Sequence, residues 1–314
     1  RSPLEAVSMG VNLGENDVAF RCNLVTLSDN EPYAEKIIID HSSDEISTEE
    51  GRELLSEINR LFGTEDISFY PGISYRHCMV WKNGPEKFTP SPLTPPHDIL
   101  ERKIGEYLPS GDSGSILRSM MEKSYPFLSS HKINKARVSR GLRPANSIWF
   151  WGEGKRPSIP MFYDKYGIEG SVISAVDLIK GIGICAGLNV VEVEGATGNI
   201  HTNFAGKAEA ALRALESGKD FVYVHIEAPD ECGHRSELQN KIRSIELIDE
   251  KIVGPLLEGL KKFGDYRMLV LPDHPTPISI RTHSADPVPF VMYGSGINRS
   301  GASCYDEFSA ADTG

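Results

Sequence analysis

The sequence predicts an α/β protein of two domains: a core with a mostly parallel sheet and helices on both faces, and a smaller α+β unit. Three observations carry this reading. The chain has 314 residues, beyond the size at which a single hydrophobic core usually keeps growing. Between residues 15 and 135 the pattern reads strand, strand, helix, strand, then a proline-rich stretch and a further helix. After Arg143 strands alternate with helices, which is the pattern of a parallel sheet covered by helices. The expected division is residues 1–14 with the core, 15–135 as the α+β unit and 136–314 as the rest of the core.

Taken in order, Asp17 to Ser28 alternates and is rich in β-branched residues, so it is read as a strand with Arg21 in its middle. A second strand, Glu35 to Asp40, follows the turn Ser28-Asp29-Asn30-Glu31-Pro32. A helix is expected from Ser47, where Ser47-Thr48-Glu49-Glu50 has the form of a capping box. Its apolar residues Leu54, Leu55, Ile58, Leu61 and Phe62 recur at helical spacing until Gly63. Ile67 to Trp81 reads as strand broken at Pro71-Gly72, and the prolines between Phe88 and Pro96 exclude helix and deliver His97-Asp98 on a loop. A helix from Gly114 to Phe127 closes the unit.

In the core, strands are expected at Ser147–Trp151, Gly170–Ser174, Asn189–Val193, Phe221–Ile226, Tyr266–Leu271 and Val288–Met292. Helices are expected at Val176–Ala186, Lys207–Ser217 and Glu237–Lys262, the last with one stripe of Ile242, Ile245, Ile248, Ile252, Leu256 and Leu260. Trp149 and Trp151 are read as core. Gly152-Glu153-Gly154-Lys155 lacks the spacing and the Ser or Thr of a phosphate-cradling loop, so no nucleotide site is assigned there.

In such a sheet, ligands gather where strands end at their carboxyl edge. Three of these ends carry the donors of a metal site. Asp230 and His234 follow the first strand, four residues apart; Asp273-His274 follow the second; His283 precedes the third. A lone Asp after a strand is usually a turn former or helix cap. Asp and His together at three ends are read instead as a ligand set. Carboxylate oxygen with imidazole nitrogen suits Mn, Zn, Fe or Co better than Mg, which takes mainly oxygens. His225 is read either as packing or as a partner of the ligands. For an anionic substrate the cations singled out are Arg21, Arg76, His77, Arg143 and Lys180, because a guanidinium gives two parallel hydrogen bonds to phosphate or carboxylate. His77 and His97 are the candidates for proton transfer.

The runs Ala228-Pro229-Asp230-Glu231-Cys232-Gly233-His234, Leu271-Pro272-Asp273-His274-Pro275-Thr276-Pro277 and Thr282-His283-Ser284-Ala285-Asp286-Pro287 resemble those of the cofactor-independent phosphoglycerate mutases, in their archaeal-type branch within the alkaline phosphatase superfamily. The likeness extends through Pro3-Leu4-Glu5-Ala6, Asp17 to Leu24, Tyr75-Arg76-His77 and Arg143-Pro144-Ala145-Asn146. It implies an alkaline-phosphatase-like core with an inserted substrate domain that hinges over the metal face. It implies two divalent ions, Mn foremost, with Asp230, His234 and His283 holding one and Asp273 and His274 part of the other. The implied reaction interconverts 3-phosphoglycerate and 2-phosphoglycerate through a phosphoenzyme. The implied partner is a small phosphorylated substrate.

The family's upstream metal-binding Asp and its phosphoryl-carrying Ser or Thr are not found, and Arg1-Ser2-Pro3-Leu4 resembles an interior position of the family. The expectation is therefore a fragment, inactive alone. Another phosphatase or phosphomutase of the superfamily, or an inactive metal-binding fragment, stays open.

Composition narrows the partners. With 39% hydrophobic and 25% charged residues the chain is ordinary for a globular protein. A net charge of −11 argues against nucleic acid. No apolar run reaches the length of a membrane span. Five cysteines without paired spacing point to a reducing cytoplasm.

Overall fold

The computed structural model describes residues 1–85, 87–297 and 302–313, and it is a mixed α/β structure of two compact units, Arg1–Ile159 and Pro160–Gly314.

The first unit is built on one strand. Helix α1 (Ser2–Ser8) precedes β1 (Val18–Leu27), whose side chains are buried almost without alternation. Such a strand must be covered on both faces. The other strands are β2 (Ile38–Asp40), β3 (Ile67–Tyr70), β4 (Arg76–Trp81) and β5 (Ser147–Lys155), and the helices are α2 (Thr48–Phe62), α3 (Gly111–Ser130) and α4 (Lys132–Ser139). β4 and β5 both pair antiparallel with Val18 to Asn23 and so lie on opposite edges of β1, while β2 takes the end of β1 at Thr26 and Leu27. β3 completes the sheet against β4. α1 packs on β1 and β5, α2 on β3 and α3 on β5.

The sequence assigned Ser147–Trp151 and the N-terminal residues to the other domain. The structure places both in this unit, because β5 finds its ladder on β1 from Val18 to Val25. Gly152 to Lys155 continue that strand, and the Glu153 carboxylate accepts from the Leu93 amide at 3.0 Å. Trp149 and Trp151 are core, as read, with their indole N–H groups donating to Thr94 O and Asn23 Oδ1.

Only half of the capping box forms at α2. Ser47 Oγ accepts from the Glu50 amide at 3.2 Å, but the Glu50 carboxylate takes Arg137 and Arg140 at 2.6 and 2.5 Å. Two guanidiniums outcompete one backbone amide for a carboxylate. His97 lies in a 3-10 turn, Pro96–Ile99, rather than on an open loop.

The second unit opens with α5 (Phe162–Tyr166), followed by β6 (Gly170–Ile173), α6 (Asp177–Cys185), β7 (Asn189–Val190), α7 (Phe204–Glu216) and β8 (Phe221–Val224). The strands form a parallel sheet in the order β7-β6-β8, as an alternating pattern requires. After α8 (Ala228–His234), α9 (Leu238–Ile248) and α10 (Gly254–Leu260) come β9 (Arg267–Val270), β10 (Val291–Gly294) and α11 (Glu307–Ala311). β9 and β10 pair antiparallel, so the parallel arrangement is confined to β6 to β8.

The single long helix expected from Glu237 to Lys262 is interrupted. Asp249–Val253 form a π turn, in which the Gly254 amide bonds Asp249 O. Pro255 has no N–H to continue the α register, and a wider turn absorbs the break. One extra residue rotates what precedes it by about 100°. Ile252, Leu256 and Leu260 therefore stay buried while Ile242 and Ile245 are exposed.

Candidate metal centre and substrate cations

β8 ends at Val224, and Pro229 in the first turn of α8 starts a helix that needs no N–H there. Asp230 and His234 stand four apart in α8, so they share one helix face. From the other side, the loop after β9 carries Asp273, His274 and Thr276 and then brings His283 back onto that face.

His234 Nε2 is 3.1 Å from His283 Nε2 and 3.3 Å from Asp230 Oδ2, and His283 Nε2 is 3.3 Å from Asp230 Oδ1. Metal–ligand bonds of about 2.0–2.2 Å put neighbouring donors about 3.0–3.5 Å apart. The triangle has the size that one divalent ion requires. The tautomer agrees. His234 Nδ1 lies 3.0 Å from the Arg281 carbonyl, which only accepts, so Nδ1 carries the hydrogen and Nε2 offers its lone pair to the triangle. These residues fit a metal.

Asp273 and His274 sit beside this set. The His274 ring packs on His283 with centroids 3.7 Å apart, and its Nε2 is 3.5 Å from Asp273 Oδ2. Among the described residues they do not complete a three-ligand group; the groups that form are Asp230, His234, His283 and the all-carboxylate Glu227, Asp230, Glu231.

Sequence reasoning missed Thr276. It is buried, its hydroxyl donates to Asp230 Oδ1, and its oxygen lies 3.4 Å from His274 Nδ1. It therefore ties Asp230 to the Asp273-His274 loop, and the signal was its place two residues after an Asp-His pair.

The cations expected to meet substrate fall differently. Arg21, on β1, is committed to a buried ion pair with Glu5, and its Nε has no partner among the described residues. The Arg21 guanidinium beside Glu5 holds that carboxyl below its usual range, against the burial that pushes it up. Arg143 is half exposed and reaches Asp40 at 3.2 Å and Asp44 at 3.5 Å. Arg76 is exposed and lies over the Tyr75 ring at 5.0 Å. Lys180, in the second unit, is paired with Glu192 at 2.8 Å.

His77 is 1% exposed, and its Nδ1 accepts from the Gly72 amide at 3.1 Å. Burial, helped by the Arg21 charge, lowers its pKa to about 3. It is thus neutral and sealed from solvent, which suits a packing role rather than proton transfer. His97 is partly accessible, with its pKa lowered by burial against the opposing charge of Asp98.

The first unit gathers these groups into a row that the sequence did not reveal. Arg76 lies over Tyr75, whose ring is 5.7 Å from His41; His41 is 6.0 Å from His97; His97 is 5.3 Å from Trp151, over which Arg21 lies at 5.6 Å. His41 is the member overlooked. It follows Asp40 at a strand end, the same pattern that singled out His274.

The family model described as 2,3-bisphosphoglycerate-independent phosphoglycerate mutase matches residues 1–134. The probable 2,3-bisphosphoglycerate-independent phosphoglycerate mutase of Geobacter sulfurreducens is 50% identical over 316 residues, spanning 100% of this chain and 77% of its own length. The 2,3-bisphosphoglycerate-independent phosphoglycerate mutase of Methanothrix thermoacetophila is 50% identical over 315 residues with the same coverage. Among solved structures, the PH0037 protein of Pyrococcus horikoshii has a TM-score of 0.77 at 26% identity, over 100% of this chain and 73% of that one. The cofactor-independent phosphoglycerate mutase of Thermoplasma acidophilum has a TM-score of 0.59 at 25% identity, over 100% and 77%. No helix among the described residues is long and apolar enough to cross a membrane. With one half of its residues identical along the whole chain, and 77% of those relatives' length covered, the chain belongs to the family of 2,3-bisphosphoglycerate-independent phosphoglycerate mutases.

Proposed function

We propose that this protein is a metal-dependent isomerase that interconverts 3-phosphoglycerate and 2-phosphoglycerate in glycolysis and gluconeogenesis, without 2,3-bisphosphoglycerate, in the cytoplasm. The observation that carries the reading is the Asp230, His234, His283 triangle, with the His234 lone pair turned inward, in a chain half identical to proteins named for this activity.

Asp230, His234 and His283 would hold one divalent ion, and Asp273 and His274 would contribute to a second, with Mn as the first choice and Zn, Co, Fe or Mg as alternatives. Such ions supply Lewis acidity to phosphoryl and hydroxyl oxygens. A Ser or Thr hydroxyl distinct from the residues named above carries the phosphoryl group, as the family resemblance implies.

Thr276 keeps the Asp230 carboxylate turned by donating to one of its oxygens. Arg76 and Arg143, both more exposed than Arg21, bind the substrate's phosphate or carboxylate, together with Lys180 of the second unit. Arg21 acts through structure, since its guanidinium is already held by Glu5. His97, in the row with His41, moves a proton at an imidazole nitrogen, a role supported by its partial exposure. In this reading the second unit is the alkaline-phosphatase-like core and the first is the substrate domain.

The test is an assay of 3-phosphoglycerate conversion by the full-length protein with Mn and no added 2,3-bisphosphoglycerate. Formation of 2-phosphoglycerate, abolished by a chelator and restored by Mn, is the expected result. Turnover that survives complete removal of metal sinks it.

A further inference from the structure

At the junction between β8 and α8, the helix that bears Asp230, lies a lysine that the proposed chemistry does not use. Lys207, in α7, is wholly buried, and its Nζ donates to the carbonyl of His225 at 3.1 Å. A buried ammonium is costly unless it is paired and hydrogen-bonded. Burial brings its pKa down to about 8, with the Lys180 charge acting the same way and the Glu227 carboxylate opposing both.

His225 is held at three points. Its amide donates to Ile173 O at 2.8 Å on the neighbouring strand, its carbonyl receives Lys207, and its ring Nδ1 lies 3.2 Å from Ser174 Oγ. Ser174 Oγ also accepts from the Val176 amide at 2.9 Å, so the hydroxyl that meets the ring is itself held by the main chain. Burial lowers the pKa of this ring, against the opposing charge of Asp273. Two residues beyond His225, the Glu227 carbonyl receives the amide of Asp230 at 3.0 Å. Main chain and ring of His225 are thus both fixed, at the junction from which the metal-binding helix departs.

We propose that Lys207 and Ser174 are positioning residues for the metal centre, acting through His225: Lys207 holds its carbonyl at the β8–α8 junction that aims Asp230 and His234, and Ser174 holds its ring. This rests on the reading of Asp230, His234 and His283 as metal ligands. A purely structural lysine would alter stability and leave the metal alone, whereas partners of this kind change metal affinity about 10- to 100-fold when removed.

The experiment titrates Mn²⁺ into the metal-free full-length protein, following free Mn²⁺ by electron paramagnetic resonance, and records the visible spectrum of the Co²⁺-loaded form. Wild type, Lys207→Met, Lys207→Arg and Ser174→Ala are compared well below their unfolding temperatures. Lys207→Met is expected to weaken Mn²⁺ binding at least 10-fold, with Lys207→Arg recovering part of the loss, and Ser174→Ala to shift the Co²⁺ bands. Should Lys207→Met not fold, Ser174→Ala and Lys207→Arg still decide: wild-type affinity and wild-type bands in both overturn the proposal. Absence of Mn²⁺ binding by the wild type would overturn the metal reading itself, a different result from equal binding by all four proteins.

Discussion

His234 and Arg281 are joined by a hydrogen bond that runs from ring to backbone: Nδ1 donates to the Arg281 carbonyl at 3.0 Å. The bond leaves Nε2 bare beside His283 and Asp230.

Asp230→Asn keeps the shape of that triangle and removes its only negative charge. Mn affinity is expected to fall on the order of 100-fold or more, beyond the loss from an outer partner, and mutase activity with it. Isothermal titration of the metal-free protein measures the first and product formation the second.

Thr276→Val removes only a hydroxyl. Asp230 loses the donor that orients it, so Mn binding should weaken roughly 10-fold while the unfolding midpoint of the metal-free protein changes little. Equal Mn affinity in the two proteins would show that Thr276 merely packs.

Arg76→Ala and Arg143→Ala each remove one charged hydrogen-bonding fork. Such bonds contribute about 1.5–3 kcal/mol, so kcat/KM for phosphoglycerate should drop roughly 10- to 100-fold in each, with folding intact. Steady-state kinetics at saturating Mn is the measurement. Arg143→Ala also frees Asp40 and Asp44, and its effect should be the more sensitive to salt.

His77 gives a pH dependence of stability. Its folded pKa, about 3, lies below the ordinary value of 6.5. As pH falls below 6.5 the unfolded chain takes up the proton and the folded chain does not. Stability is therefore lost progressively from pH 6.5 down to pH 3, at about 1.4 kcal/mol per unit. His77→Gln should show a shallower decline, by about 2–3 kcal/mol between pH 6.5 and 4.5, in urea unfolding followed by circular dichroism. Parallel curves would mean that His77 protonates in the folded state.

The two levels of structure were unequally legible. Elements defined by local chemistry were read closely: β1 from its β-branched and apolar residues, α2 from Ser47 to Gly63, the break at Pro71-Gly72. The trio Asp230, His234, His283 was legible because strand ends converge in an alternating fold. What depends on distant partners was not. Nothing within Ser147 to Lys155 says that its ladder partner lies near residue 20 rather than in the strands that follow it. Glu50 looked like a cap residue because Arg137 and Arg140 are some ninety positions away in sequence. The stripe through Ile242 and Ile245 failed because Pro255 changes the helical register locally. Arg21 was legible as an anomaly, a charge in an apolar strand, but Glu5 as its resolution was not.

The pairing of β1 with β5 has a topological consequence. Val18, the first residue of β1, stands opposite Lys155, the last of β5. Across an antiparallel ladder such partners are about 5 Å apart. Everything from 18 to 155 therefore leaves and returns through one doorway, narrow enough for a tight turn to close. In topology the segment is a cassette: its two ends stand side by side, while the Arg21–Glu5 ion pair and the packing of α1 on β1 and β5 tie it to the residues before it.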